Sequence, residues 1–297
     1  ALQLACNRTI KRALGNRLIV GNYGGYFTGI HMAAEHRHLY QDERMREASV
    51  DFQAAAPAYN EEFRGMGEAS ISQQLINSQE FHGKLAIIEA DTRTHLEQGT
   101  FQKFALTPTD TEALMIRDLA QALCRNSGIW FFDFSKVYYD TPEIAELFTK
   151  FVKVRALPTP APRTAKVAIV GDYGNLPYMC IRRWDPTPYI TVSKLFAELS
   201  HCGVAYDTIS LADLEKAPDY DVYFFPNLFY LDAERKAKLK KLRAKGGKTF
   251  IWSFAPGYLS AGGASAEGII ETTGMQVSLA DAEVADRLRG RAVERRK

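Results

Sequence analysis

The stretch His82-Gly-Lys-Leu-Ala-Ile-Ile-Glu89 decides the fold of the first half of the chain. A glycine precedes a short apolar run that ends in a carboxylate, and this pattern is typical of a buried strand. Similar strands are predicted near residues 17–27, 50–57 and 128–134, with helical stretches between and after them. The order strand, polar loop, helix therefore recurs four times, which predicts parallel strands joined by crossover helices.

This repeat is typical of a (β/α)8 TIM barrel, in which the loops after the strands are polar and carry the chemistry. Four units form half of such a barrel, whereas a complete one takes about 250 residues. Residues 1–156 are therefore interpreted as strands 5–8 of a TIM barrel, and the chain is expected to begin inside that barrel.

The second half has a different α/β pattern. The stretch Leu157-Pro-Thr-Pro-Ala-Pro-Arg-Thr-Ala165 predicts a proline-rich linker, because its prolines favour extended backbone. Residues 166–280 are expected to form a doubly wound, flavodoxin-type domain that resembles the amidotransferase fold. A catalytic elbow of the form G-x-C-x-G does not occur in the sequence, so this domain is predicted to lack a nucleophile. Residues 281–297 form a basic tail.

Composition argues against several classes of function. The chain has 297 residues, with 37 Lys and Arg against 35 Asp and Glu and a formal net charge of +2, which does not favour nucleic acid as a partner. Apolar runs stay short of the ~18 residues of a membrane span, so no membrane partner is expected. His31, His36 and His38 lack a metal-binding spacing, and the glycines of residues 21–25 lack a nucleotide-binding one. We predict no metal and no cofactor; the compartment is left open, with the cytoplasm favoured.

Glu89 is the first candidate catalytic residue. At the carboxyl end of a barrel strand, its carboxylate can attack an anomeric carbon or act as a general base. Arg93 lies in the polar stretch just after it, Ala90-Asp-Thr-Arg-Thr-His95, and can hold Glu89 ionised, since a nearby cation favours the charged form. A structural ion pair of Glu89 and Arg93 at the barrel rim is the alternative interpretation.

Five further residues, in the predicted strands or in the loops after them, are candidates for substrate binding: Tyr23, Tyr59, Arg64, Trp130 and Asp133. Trp130 can offer an apolar face to a sugar ring, or it can belong to the core. The tyrosine hydroxyls can bind a carbohydrate or orient a carboxylate. Arg64 can contact an anionic or hydroxylated ligand, and a solvated loop arginine is its alternative interpretation.

The chain resembles a known family in three of these motifs, His82-Gly-Lys84, Glu89-Ala-Asp-Thr-Arg-Thr-His95 and Trp130-Phe-Phe-Asp133. They are similar to the second half of the barrel of a clan A retaining glycoside hydrolase, nearest to the family 42 β-galactosidases and their relatives. Residues 166–280 resemble the β-galactosidase trimerisation domain, an amidotransferase-like fold without its nucleophile.

The resemblance implies an exo-acting retaining β-glycosidase that takes an oligosaccharide or glycoside and assembles as a homotrimer. Glu89 falls where the family carries its nucleophile, at the end of strand seven. The acid/base glutamate, at the end of strand four, would precede Leu2 and is missing from this chain, so the chain alone can be inactive; Asp91 and Asp133 are alternatives for that role. A β-mannosidase-like substrate is also consistent with the motifs. The competing hypothesis is a non-catalytic carbohydrate-binding or assembly protein with a decayed barrel.

Overall fold

The computed structural model describes residues 2–15, 21–25, 41–59, 61–100, 103–133, 137–157, 164–179 and 189–278. Within them the chain forms two four-stranded parallel sheets and one short antiparallel hairpin. The predicted mixed α/β architecture with parallel sheets is confirmed. None of the helices in the described ranges has the length and apolar character needed to cross a membrane.

The first sheet has the strand order β1-β2-β3-β4, and all its neighbours are parallel. Its strands are β1 (Gly21–Tyr23), β2 (Phe52–Ala55), β3 (Leu85–Ala90) and β4 (Gly128–Phe131). Its helices are α1 (Leu2–Leu14), α2 (Gln41–Arg46), α3 (Glu61–Arg64), α4 (Ile76–Phe81), α5 (Pro108–Cys124) and α6 (Pro142–Arg155). Sequential strands pair side by side, as the βαβ pattern predicts.

Helix α5 has its N-cap two residues earlier than the sequence predicts. A capping box beginning at Thr109 is expected from the sequence, but Thr107 is the N-cap and Pro108 the first helical residue. Thr107 Oγ1 accepts from Asp110 N at 3.1 Å, and Asp110 Oδ2 accepts from Thr107 N at 2.9 Å. Because proline is favoured at the first helical position, the helix begins at this earlier capping box and not at the later one.

The two faces of the first sheet are covered differently. On one face, Ile129 and Phe131 pack against the cores of α5 and α6, and the Phe131 ring stacks on Phe151 at 5.8 Å. On the other face, Tyr23 and Leu85 are each 47% exposed. The sheet therefore has one face buried by helices and one face that the described residues leave open.

The second sheet has the strand order β6-β5-β7-β8. Its strands are β5 (Val167–Gly171), β6 (Tyr206–Ser210), β7 (Val222–Phe225) and β8 (Thr249–Trp252), and the hairpin is β9 (Leu259–Ser260) with β10 (Gly263–Ala264). Its helices are α7 (Leu176–Met179), α8 (Leu195–Ser200), α9 (Ala233–Ala244) and α10 (Ala266–Thr273). Short 3-10 turns cover Tyr173–Asn175 and Leu211–Asp213, and a π-helical segment covers Tyr189–Lys194.

The two halves share one hydrophobic cluster, to which the first contributes Phe63 and Leu75 and the second Ile169, Leu176 and Phe196. A core common to both halves holds them in one arrangement, since separating them would expose these side chains to water.

Polar side chains of α4 also cover the backbone of β6, the outer strand of the second sheet. Asn77 Oδ1 accepts from Thr208 N at 2.7 Å, and Ser78 Oγ accepts from Ser210 N at 2.7 Å. An outer strand otherwise presents unpaired N–H groups. These contacts satisfy two buried donors and align the two halves.

Replacing Asn77 tests this alignment. We expect Asn77→Ala to lower the free energy of unfolding by about 1–3 kcal/mol, because the buried N–H of Thr208 loses its acceptor. Urea denaturation measures the change. As a control, Thr149→Ala removes an exposed hydrogen bond to Ala145 O within α6 and should cost less than about 0.5 kcal/mol. Equal effects of the two substitutions would contradict this role of Asn77.

Candidate active site

Glu89 lies at the carboxyl end of β3, and the sheet register aligns it with Trp130 on β4. Partners in a parallel register project from the same face, here the open one, and both side chains are half-buried. Tyr23, at the end of β1, donates its hydroxyl to Glu89 Oε1 at 3.3 Å. The same hydroxyl accepts from Ala56 N at 3.0 Å, just beyond β2. Three strands thus bring one carboxylate, one phenol and one indole together.

The electrostatic environment of Glu89 favours a weaker acid than usual. Burial raises the pKa of Glu89, and the negative charge of Asp91 raises it further, while the hydrogen bond from Tyr23 lowers it. Burial and the negative charge of Glu89 raise the pKa of Tyr23, so its hydroxyl stays protonated as a donor. Tyr23 is therefore placed to stabilise the ionised form of Glu89.

Removing that hydroxyl gives a direct test. We expect the pKa of Glu89 to be higher in Tyr23→Phe than in the unmodified chain, because the carboxylate loses its donor while its burial persists. A 13C NMR titration of the glutamate carboxyls, with Glu89→Gln assigning the signal, measures the shift. Tyr220→Phe is the matched control, since Tyr220 donates to Asp207 at 2.7 Å in the second half. A pKa of Glu89 that is unchanged or lower in Tyr23→Phe would contradict this role.

A buried ion pair lies beside this group. Arg64 and Asp91 are 6% and 1% exposed, and Arg64 Nη1 bonds to Asp91 Oδ1. Arg64 also donates from Nε to Ala58 O at 2.9 Å and from Nη2 to Pro57 O at 3.1 Å. Its guanidinium carbon lies 4.2 Å from the centre of the Tyr59 ring, and burial together with Asp91 raises the pKa of Tyr59 to about 12.

The interpretation of Arg64 as a solvated loop arginine is therefore wrong. Long-range packing buries this side chain, and every nitrogen of its guanidinium bonds to protein. Arg64 and Tyr59 meet at Asp91, two residues beyond Glu89. In this position they support the loop that follows β3.

Three further residues, for which the sequence motifs predict no role, hold the loop after β3 in place. Arg117 donates to Arg64 O at 3.1 Å and to Asp118 Oδ1 at 2.9 Å. Asp118 also bonds to Thr92 Oγ1, and the Tyr139 hydroxyl donates to Thr92 O at 3.0 Å. Asp118 occupies the buried stripe of α5, and a carboxylate in an apolar helical stripe is a signal that the sequence carries.

Arg93 and Asp133 lie near a different group. Both act on Tyr138, whose pKa burial and a hydrogen bond to Glu97 raise to about 12. Besides burial, Tyr23 and Asp91 set the pKa of Glu89, and Arg93 is not among these influences in the described part of the chain. The expected ionic support of Glu89 by Arg93 is thus replaced by the neutral donor Tyr23.

Metal chemistry finds no support in the described ranges, where His, Cys, Asp and Glu form no group of three able to hold an ion. His31, His36 and His38, considered above as ligands, lie outside the described residues.

Comparisons with known proteins relate this chain to solved structures of similar fold. The chain matches no protein-family model and no curated protein. Among solved structures it is similar to a catalytic mutant of Gan42B, a GH42 β-galactosidase from G. stearothermophilus, at 15% identity and a TM-score of 0.52, over 84% of this chain and 39% of that one. A β-galactosidase from the psychrophilic Marinomonas ef1 aligns at 12% identity and a TM-score of 0.54, over 90% and 45%. One from the Antarctic haloarchaeon Halorubrum lacusprofundi aligns at 14% and 0.55, over 88% and 41%.

The chain thus has a glycoside-hydrolase-like fold, related to that of the GH42 β-galactosidases. Its first sheet is consistent with part of a TIM barrel. The chain spans about two-fifths of the length of the structures that it matches.

Proposed function

We propose that this chain belongs to an exo-acting retaining β-glycosidase, with terminal β-galactosides as its favoured substrates and Glu89 as its nucleophile. The observation that carries the proposal is the position of Glu89. It ends the third of four sequential parallel strands, accepts a hydrogen bond from Tyr23 and is in register with Trp130, within a fold related to that of β-galactosidases. Active sites of barrel enzymes lie at this end of the strands.

In the proposed reaction, a Glu89 oxygen attacks the anomeric carbon as the bond to the leaving oxygen breaks. The leaving oxygen takes a proton from the acid/base residue, a protonated carboxyl group about 5–5.5 Å from Glu89. Water then attacks the glycosyl-enzyme, gives a proton to the same acid/base group and releases Glu89 as a carboxylate. Tyr23 stabilises the leaving carboxylate in this second step, and Trp130 offers its ring to the sugar. Arg93 and Asp133 are the proposed rim contacts, while Tyr59 and Arg64 act through Asp91.

The acid/base carboxylate is proposed to lie on four further strands that complete the barrel. Two features support this arrangement. The open face of the sheet exposes Tyr23 and Leu85, and the outer strands β1 and β4 each pair on one side only within the described residues. In a complete barrel such a face is covered, and the two outer strands each pair with a further strand, so that no sheet edge remains.

For the second half we propose a doubly wound, flavodoxin-type domain that forms a homotrimer. The strand order β6-β5-β7-β8 supports the domain type, since the flavodoxin-like order begins 2-1-3-4. Size-exclusion chromatography with light scattering tests the trimer.

Covalent labelling tests the function. The protein, expressed as residues 1–297 and with its flanking coding sequence, is incubated with 2,4-dinitrophenyl 2-deoxy-2-fluoro-β-glycosides of the galacto, manno and gluco series. The good leaving group needs little protonation, so the first step tolerates a missing acid. We expect one glycosyl adduct by intact mass, mapping to the peptide that contains Glu89, and no adduct in Glu89→Gln. Glu112→Gln, on the exposed face of α5, is the matched control and should label normally.

Two outcomes would overturn the proposal. An adduct on another carboxylate would remove Glu89 from its role. Failure of the protein with its flanking sequence to label with any sugar, while binding of galactosides persists by calorimetry, would favour the non-catalytic carbohydrate-binding alternative.

A further inference from the structure

A cavity separate from the Glu89 group lies at the carboxyl ends of β5 and β7. Its volume is about 330 Å³. Tyr173, Gly174 and Tyr178 follow β5, and Tyr230 and Arg235 follow β7. The chain leaves β5 for β6 on one side and returns to β7 on the other, so the strand order reverses at this point. In parallel α/β sheets, ligands bind in the crevice outside the strand ends where this reversal occurs.

The polar frame of the cavity is built by buried groups. Asp172 is 1% exposed and accepts from Gly174 N at 3.0 Å and from Asn175 Nδ2 at 2.6 Å. Its second oxygen lies 2.9 Å from Arg235 Nε, and Arg235 also bonds to Asp232. A Cβ on Gly174 would lie 2.1 Å from Arg235 Nη2, so the glycine lets the guanidinium cross the loop. Two carboxylates thus neutralise Arg235, so this arginine brings no free positive charge to the cavity.

Asp42 reaches the same cavity from α2 in the first half. It is 7% exposed, and its Oδ1 accepts from Ser210 Oγ at 2.7 Å. Among the described residues, Asp42 forms no ion pair, and its Oδ2 accepts no hydrogen bond. Burying a carboxylate that no cation contacts directly is costly, and the two arginines that act on Asp42, Arg46 and Arg235, do so from beyond ion-pair distance. Asp42 is therefore a buried acceptor on the cavity wall that a ligand can satisfy.

Two aromatic rings complete the wall. Tyr178 and Tyr230 stack with their centroids 3.9 Å apart and their planes 11° apart, and Tyr178 is 38% exposed. The negative face of an aromatic ring attracts cations. Glu43 adds a further carboxylate to the lining. Carboxylates and ring faces together favour a positively charged ligand over a neutral or anionic one.

We propose that this cavity binds a small organic cation, whose ammonium group pairs with Asp42 while its carbon chain lies against the Tyr178–Tyr230 pair. The site is independent of the proposed glycosidase function, because it shares no residue with the Glu89 group. An ammonium fits better than a metal ion, since the described residues offer no cluster of three metal ligands here.

The charge of Asp42 makes the proposed binding depend on pH. Burial and the negative charges of Asp172 and Asp213 raise the pKa of Asp42 to about 7. The groups that face it are Arg46 on its own helix, Asp172 and Tyr173 after β5, Ser210 at the end of β6, Asp213 after β6, and Arg235 on α9. Because the ionised form binds the cation, affinity should be about tenfold higher at pH 8 than at pH 6.

Calorimetry and thermal unfolding with n-butylammonium and 1,4-diaminobutane test the site, since their ammonium groups stay protonated across this range. 1-Butanol and galactose are the uncharged comparisons. We expect both amines to bind and to raise Tm by mass action. Asp42→Asn should keep the Ser210 contact and the fold while weakening amine binding at least about tenfold, because the ammonium loses its opposite charge. Tyr178→Ala should weaken binding severalfold, because the carbon chain loses its apolar contact with the ring. Glu234→Gln is the matched control, because Glu234 lies at the exposed start of α9 outside the lining and should leave binding unchanged.

Three results would overturn the proposal: no binding of either amine, equal binding of the amines by Asp42→Asn, or equal binding of 1-butanol or galactose. None of these results depends on glycosidase activity, so none of them supports or contradicts the proposed function.

Discussion

Glu89→Gln is expected to lower the hydrolysis of an aryl β-galactoside on the order of 10⁴-fold or more in the protein that carries the complete barrel. The amide is isosteric with the carboxylate but cannot form the glycosyl ester, so the first bond-forming step is lost. Fold and binding should persist, because Glu89 is half-buried and its contact with Tyr23 is a single hydrogen bond. Steady-state kinetics with 4-nitrophenyl β-galactoside measure the loss of hydrolysis. Circular dichroism is the control for the fold.

Chemical rescue distinguishes a nucleophile from an acid/base group. In Glu89→Gly, added azide should restore turnover of the activated substrate, because the small anion takes the space of the missing carboxylate. Attack from that face forms a carbon–nitrogen bond as the dinitrophenolate leaves, and the product is the α-glycosyl azide. A β-glycosyl azide would show that azide entered from the opposite face, and Glu89 would then be the acid/base residue.

The largest effect on stability is expected at the buried pair of Arg64 and Asp91. Replacing Arg64 by Met, or Asp91 by Asn, should lower the free energy of unfolding by about 3–5 kcal/mol, since either change leaves its partner buried without the opposite charge. Arg64→Met also removes donors from Pro57 O and Ala58 O. Urea denaturation at neutral pH measures these changes.

A double variant separates the loss of charge balance from the loss of packing. Arg64→Met combined with Asp91→Asn should cost less than the sum of the two single changes, because no unpaired charge remains. As a surface comparison, Lys150→Ala breaks the exposed pair with Glu146 and should change stability by less than about 0.5 kcal/mol. The role of the Arg64–Asp91 pair would be contradicted if the losses in free energy of unfolding were additive. It would also be contradicted if the single losses were no greater than that of Lys150→Ala.

Much of the local structure was predictable. The sequence predicts a strand that ends at Glu89, a helix that begins at Pro142 and a lysine-rich helix that Asp232 caps. All three are present, and Asp232 accepts from Arg235 N at 2.8 Å. The sequence also predicts that Gly246 and Gly247 end the lysine-rich helix, and both have positive φ angles, of 66° and 64°. The hairpin β9–β10 and helix α10 were missed.

The environment of each candidate was not predictable to the same extent. Arg64 resembles a surface residue in a glycine-rich loop but is buried. The apolar stripe of α5 marks Asp118 as a buried carboxylate, but its contact with Thr92 in the loop after β3 follows only from packing. The pairing of Glu89 with a neighbouring arginine was expected, whereas a tyrosine of another strand supplies its hydrogen bond.

Local patterns in the sequence predict the alternation of strands and helices, the cap of α9 and the place of Glu89 at a strand end, because apolar spacing and capping act among residues a few positions apart. Long-range packing determines which groups meet. Tyr23 and Glu89 are 66 positions apart, and Asp42 and Ser210 are 168 positions apart. Burial, pKa and hydrogen-bond partners are set by such distant contacts, and sheet register and packing between the two halves determine them.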